Sequence, residues 1–255
     1  MAMNAAAGQQ IVIDDGTLWT YIGDILYGNE DQHIDSRAAA LSSLYQLLRQ
    51  PETLPDLAPI LWCSPGIMTV LLSEIVNVYP KLKTAAFTAN DMNRVSHSLR
   101  LVQRLVSHKE TKYLFLQAQL PFFLYPFLNA ARPGRAYELL RINALHVFVC
   151  LVQVDDNEVA SFLVQTEIIP LCLRIMEKGT DGAKTQATYI IQRLLLNRTG
   201  LNYVCHTAER FYAVARVLAK MVDVLLEAPS GRIFNQVICC YTRLSGHPTA
   251  REVLK

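Results

Sequence analysis

Four sets of side chains could carry chemistry. The six histidines (His33, His97, His108, His146, His206, His247) are the residues suited to proton transfer or metal ligation, but they share no metal-ligand spacing. The six cysteines (Cys63, Cys150, Cys172, Cys205, Cys239, Cys240) contain no C-x-x-C pair, and each lies in an apolar run without a cluster of basic neighbours. They read as reduced thiols buried as small apolar residues, and the adjacent Cys239 and Cys240 point in different directions on a helix. Asp155-Asp156-Asn157-Glu158 has the residue types of a metal or acid site, but also those of a loop that caps a helix, and the capping reading is favoured. Arg94, Arg100, Arg104 and Arg193 would project along one surface and track phosphates, or form a solvated face paired with acids. No G-x-S-x-G, H-E-x-x-H, P-loop or G-x-G-x-x-G motif occurs. Neither a metal nor another cofactor is expected, and the chain is expected not to be an enzyme.

The elements that position these residues follow from composition and periodicity. The chain has 255 residues, 51% of them hydrophobic and 18% charged. Its mean hydropathy of +0.19 is too apolar for a disordered chain. Net charge is +2, but the first 36 residues hold six acids and no Lys or Arg, leaving 24 basic and 16 acidic groups in the rest. That bias suits an acidic partner or nucleic acid. The missing N-terminal basic residues argue against a secretory or transit leader, and no apolar run approaches the ~20 residues that span a bilayer. A cytoplasmic location, with the nucleus as a second site, is expected.

Helical 3.6-residue spacing covers 36–50, 66–79, 91–107, 137–153, 157–176, 184–197, 208–227 and 231–244. Asp56 and Asp91 are expected N-caps, Gly179 and Gly200 expected C-terminal stops, and Pro51, Pro80, Pro133, Pro229 and Pro248 punctuation. No alternating strand pattern is found, so the fold class is all-α. Leu101–Leu105, Phe148–Val152 and Ile190–Leu194 recur with similar apolar character, as do Phe115-Leu116, Phe162-Leu163 and Val204-Cys205. A period of 42–47 residues is that of an armadillo or HEAT solenoid, which offers a long groove for an extended or helical ligand. The expected organisation is a flexible segment at 1–16 and one armadillo-repeat domain at 17–255. Trp62, and the wide stripe Met68, Leu71, Leu72, Ile75, Val76 and Tyr79, read as core with part turned toward a partner.

Several blocks resemble the required-for-cell-differentiation (Rcd-one-like) family: Leu57–Trp62, Glu74–Pro80, Asn93–Val95, Phe123–Leu128 and Thr166–Glu177. The resemblance runs from about Leu54 to Arg251. It implies the armadillo-repeat subunit of the Ccr-Not deadenylase complex, a non-catalytic adaptor in mRNA deadenylation, decay and translational repression. Docking on the large Not scaffold subunit would use Cys63, Pro65, Thr69 and Val76; the family often has His and Phe at the first two. Short-motif regulator proteins would bind as helical peptides at Leu139, His146, Thr185 and Gln186, where His146 replaces a usual Gly and Gln186 a usual Val. A tryptophan-accepting surface would use His206, Thr207, Arg210 and Thr249, the last where the family has Arg. The family is also implied to bind single-stranded nucleic acid and to self-associate. Direct, sequence-tolerant binding of single-stranded nucleic acid through the arginine stripe is the alternative function.

Overall fold

A computed structural model describes residues 15–28, 34–48, 57–84, 87–130, 132 and 134–253. The described residues are helical with no strand. A helix pair, α1 (Asp15–Tyr27) and α2 (Ile34–Leu48), opens the chain. Four three-helix units follow: α3 (Leu57–Cys63), α4 (Ile67–Val76) and α5 (Ala89–Ser107); α6 (Lys109–Gln117), α7 (Tyr125–Asn129) and α8 (Arg135–Val152); α9 (Asn157–Val164), α10 (Ile168–Lys178) and α11 (Asp181–Leu196); α12 (Arg198–Cys205), α13 (Ala208–Glu227) and α14 (Gly231–Ser245). A final short helix is α15 (Pro248–Val253). Turns of 3-10 helix, Pro80–Lys83 and Leu120–Leu124, precede α5 and α7.

The third helices start at residues 89, 135, 181 and 231, a repeat of 46 to 50 residues against the expected 42–47. α2, α5, α8, α11 and α14 pack in that order into one row, and α7, α10 and α13 form a second row behind it. Each unit therefore touches its neighbours, as in a solenoid. One apolar core runs between the rows from Ile75 to Ala250, and a second joins α1 and α2 to Leu101 and Leu105. Trp62 and Met68 pack against both. The repeat correspondence holds at the side-chain level for five of the six residues: Phe115, Leu116, Leu163, Val204 and Cys205 on α6, α9 and α12 are buried, while Phe162 is half-buried against the core.

Several expected boundaries move. Asp91 is not the cap of α5 but its third residue. Thr88 is the cap, and its hydroxyl accepts from Asp91 N at 3.1 Å while Asp91 accepts from Thr88 N at 3.0 Å. Gly179 ends α10 as expected, but Gly200 lies inside α12. A Cβ there would sit 2.0 Å from the Leu194 carbonyl oxygen, so the glycine serves a close approach of backbones. The span 157–176 is two helices bent by 77°. Pro170 lacks an N–H and fits only the first turn of a helix, so the chain breaks after Val164 and restarts at Ile168. Asp56, Pro51 and Pro133 lie outside the described residues, as does 1–14 of the expected N-terminal segment.

Candidate functional site

Three of the four residues expected to grip a peptide come together. His146 on α8 and Thr185 and Gln186 on α11 line a cavity of about 490 Å³ with Tyr189, Gln192 and the α14 residues Arg232, Asn235 and Gln236. It lies across three successive third helices, because residues one repeat apart take equivalent places in the row. His146 Nδ1, Gln186 Oε1 and Gln236 Oε1 are buried with no partner, although Gln236 is only 7% exposed. Unpaired buried polar atoms are costly, so the cavity favours guests that bring hydrogen-bonding groups. Burial, with Arg100 nearby, holds the His146 imidazole below its ordinary pKa. Leu139, 41% exposed, stands apart near the start of α8 in a neighbouring cavity of about 690 Å³.

The expected scaffold residues are all at the surface. Cys63 ends α3, Pro65 lies in the turn to α4, and Thr69 and Val76 share one face of α4 seven residues apart. Cys63, Pro65 and Thr69 are exposed and Val76 is half-buried, while Leu71 and Ile75 of the same helix are buried. The wide apolar stripe thus divides: Met68, Leu72 and Tyr79 pack on the core, and Val76 borders solvent. The exposure of Cys63 and Cys239 corrects the expectation of uniform thiol burial; Cys172, Cys205 and Cys240 are buried and Cys150 is partly so.

At the expected tryptophan surface, His206 is exposed beside Thr207, which caps α13 by accepting from Arg210 N. The Arg210 guanidinium stacks over the Tyr203 ring at 3.9 Å from its centroid. The Thr249 side chain lies outside the described residues.

The four arginines do not form one uniform stripe. Arg94 is ion-paired with Glu74, and Arg100 donates to Gln103 Oε1 at 3.3 Å. Arg193 donates to the last carbonyls of α8, Val152 O at 2.9 Å and Gln153 O at 3.1 Å. Arg104, on the face of α5, is half-buried. Arg243 repeats the Arg193 arrangement one unit later, donating to Leu195 O and Leu196 O of α11. The acidic cluster is a cap: Asp156 accepts from Glu158 N and Val159 N and pairs with Lys112 at 2.5 Å. Among the described residues, no three His, Cys, Asp or Glu side chains gather as metal ligands.

Sequence reasoning missed Val149, Tyr189, Gln192, Arg232, Asn235 and Gln236. The α14 residues come from the neighbouring unit, and the only signal for them was the repeat period itself.

The sequence profile described as "Cell differentiation family, Rcd1-like" matches residues 29–255. Protein CAF40 of Saccharomyces cerevisiae is 44% identical over 244 residues, covering 95% of this chain and 63% of that protein. Cell differentiation protein rcd1 of Schizosaccharomyces pombe is 49% identical over 213 residues, covering 84% of this chain and 75% of that protein. The match therefore spans a little under two thirds of the first relative's length. On a profile covering nearly all the helical stack and two relatives at this identity, the chain belongs to the Rcd1-like cell differentiation family.

Proposed function

We propose that this chain is a non-catalytic, armadillo-type adaptor of the Ccr-Not complex. It docks on the large Not scaffold subunit through Cys63, Pro65, Thr69 and Val76, and holds short-motif regulators in the cavity of His146, Thr185 and Gln186. Occupying both surfaces at once raises the effective concentration of the deadenylase at a chosen transcript, promoting deadenylation, decay and translational repression in cytoplasm and nucleus.

The observation that carries this reading is spatial separation. The α3–α4 corner and the cavity across α8, α11 and α14 are distinct surfaces on one stack, so two partners fit together. Burial pushes the thiol of Cys150 up and that of Cys240 up to about 12, which leaves these two poor nucleophiles and fits them to a packing role in the stack. The test is co-immunoprecipitation of the tagged chain from native extract. Recovery of the Not scaffold and deadenylase supports the adaptor; recovery of neither contradicts it.

A further inference from the structure

We infer that the cavity between the starts of α8 and α11 is a receptor for a phosphorylated serine or threonine in a regulator peptide, with an adjacent leucine-sized residue seated on Leu139. The inference rests on the adaptor reading and names the chemistry of one partner.

The cavity of about 690 Å³ is lined by Arg132, Arg135, Arg141, Arg174 and Lys178 against the single carboxylate of Glu138. In a chain of 24 basic and 22 acidic side chains, that is a local concentration of positive charge. Glu138 is already engaged twice, by Arg141 and by the Thr180 hydroxyl, which donates to it at 2.5 Å. Arg135, Arg174 and Lys178 form no ion pair among the described residues. Arg174 is held by Asn129 Oδ1, and Arg141 by Glu138 and the Ala130 carbonyl, so these two guanidinium groups are fixed in place. Arg141 Nε is buried without a partner.

Two helix N-termini add to this field. α8 begins after Gly134 and α11 after Thr180; both residues line the cavity, and neither start has a side-chain cap, although Glu138 and Asp181 in the first turns offset part of the dipole field. The Thr180 hydroxyl, which would ordinarily cap α11, is turned to Glu138 instead. Uncapped amides at a positive dipole end favour an anion. The cations surround one compact space rather than follow a line. That arrangement fits charge concentrated on one group, and a phosphate monoester carries ≈ −1.5 to −2 with three acceptor oxygens. The remaining wall is apolar, with Leu139 41% exposed and Ile142 half-buried beside it, which selects a peptide over an inorganic ion.

The test is fluorescence anisotropy on the full chain with labelled peptides carrying phosphoserine two residues from a leucine, and their serine and glutamate counterparts. The phosphopeptide is expected to bind at least tenfold tighter than either, to weaken with salt, and to be displaced by inorganic phosphate. The double variant Arg135→Glu and Lys178→Glu changes two exposed side chains and is expected to remove the phosphate preference with an unchanged melting temperature. Leu139→Ala is expected to weaken the phosphopeptide severalfold. Equal binding of the phosphoserine and serine peptides overturns the inference, as does a glutamate peptide binding equally well. An oligouridylate that binds tighter and is lost in the same double variant also overturns it. The double variant should still co-purify the Not scaffold; if the wild-type chain fails to do so, it is the adaptor reading that falls.

Discussion

Arg94 on α5 is ion-paired with Glu74 on α4, Nη2 to Oε1 at 2.5 Å, with the Glu74 side chain only 5% exposed. The pair joins two helices of one unit across the edge of the core. Removing either partner leaves the other charge buried and unpaired. Glu74→Ala is expected to cost about 3 kcal/mol in urea unfolding. Because Arg94 is committed to this pair, Arg94→Ala should lower stability without changing the salt slope of oligonucleotide binding. A lower slope with unchanged stability would return Arg94 to a phosphate-contacting role.

Arg193 and Arg243 each satisfy carbonyls at the C-terminal end of the preceding third helix, α8 and α11. Each is a tie between neighbouring units, made where a helix end has no internal partner. Arg193→Ala is expected to cost about 1–2 kcal/mol. Native-state hydrogen exchange should show faster opening at the end of α8 while α5 stays protected. Uniform exchange along the stack would mean that the guanidinium contributes nothing local.

Phe148 is fully buried and stacks on Tyr125, centroids 5.6 Å apart at 15°, while the Tyr125 hydroxyl donates to Thr166 Oγ1. This links α8, α7 and the break between α9 and α10. Phe148→Ala opens a cavity in a site held on three sides, so about 3–5 kcal/mol should be lost. Tyr125→Phe removes only the hydroxyl and should cost about 1 kcal/mol. Comparable losses for the two would show that the ring packing is not the dominant contribution.

Burial holds His97 and His146 below the ordinary imidazole pKa of 6.5, with Arg100 adding to the effect at His146. In the unfolded chain both take up a proton as pH falls through 6.5; in the folded chain they resist it. The unfolded state then binds more protons, so stability falls as pH drops below 6.5. Asp156 adds a second loss. Burial works to raise its carboxyl, but hydrogen bonds from Lys112, Tyr113 and Val159 N outweigh that and hold it down at about 2. Its contribution is present above about 4 and lost toward 2. Melting temperatures across pH 7 to 5 should fall, and the fall should flatten in His146→Gln. A flat wild-type profile would contradict the assigned burial.

The long helices were legible because their signal is local, whereas α1 and the short α3, α6, α7, α12 and α15 fell outside the expected spans, most of them being too brief to show a period. Apolar spacing gave the third helix of every unit, and even the recurrence of Phe115, Phe162 and Val204 marked the first helices. Boundaries were not, because they depend on competing local contacts: Thr88 outcompetes Asp91 for the cap, and Gly200 is needed for a backbone approach from Leu194. The cavity of His146 and Gln186 was half legible, since Arg232 and Gln236 come from a helix about 50 residues further along. The fates of Arg94 and Arg193 depend on which neighbour lies within reach of a long side chain, and sequence spacing on one helix carries no record of that.

The central claim is that the α3–α4 corner docks this chain on the Not scaffold. Val76 borders solvent on the face that carries Thr69, so a charge there should desolvate badly in an interface while leaving the fold intact. The direct measurement is parallel pull-down of the scaffold with wild-type chain and Val76→Glu, matched for melting temperature. Scaffold recovered with wild type and lost with the variant is the expected result. Equal recovery with both would contradict it.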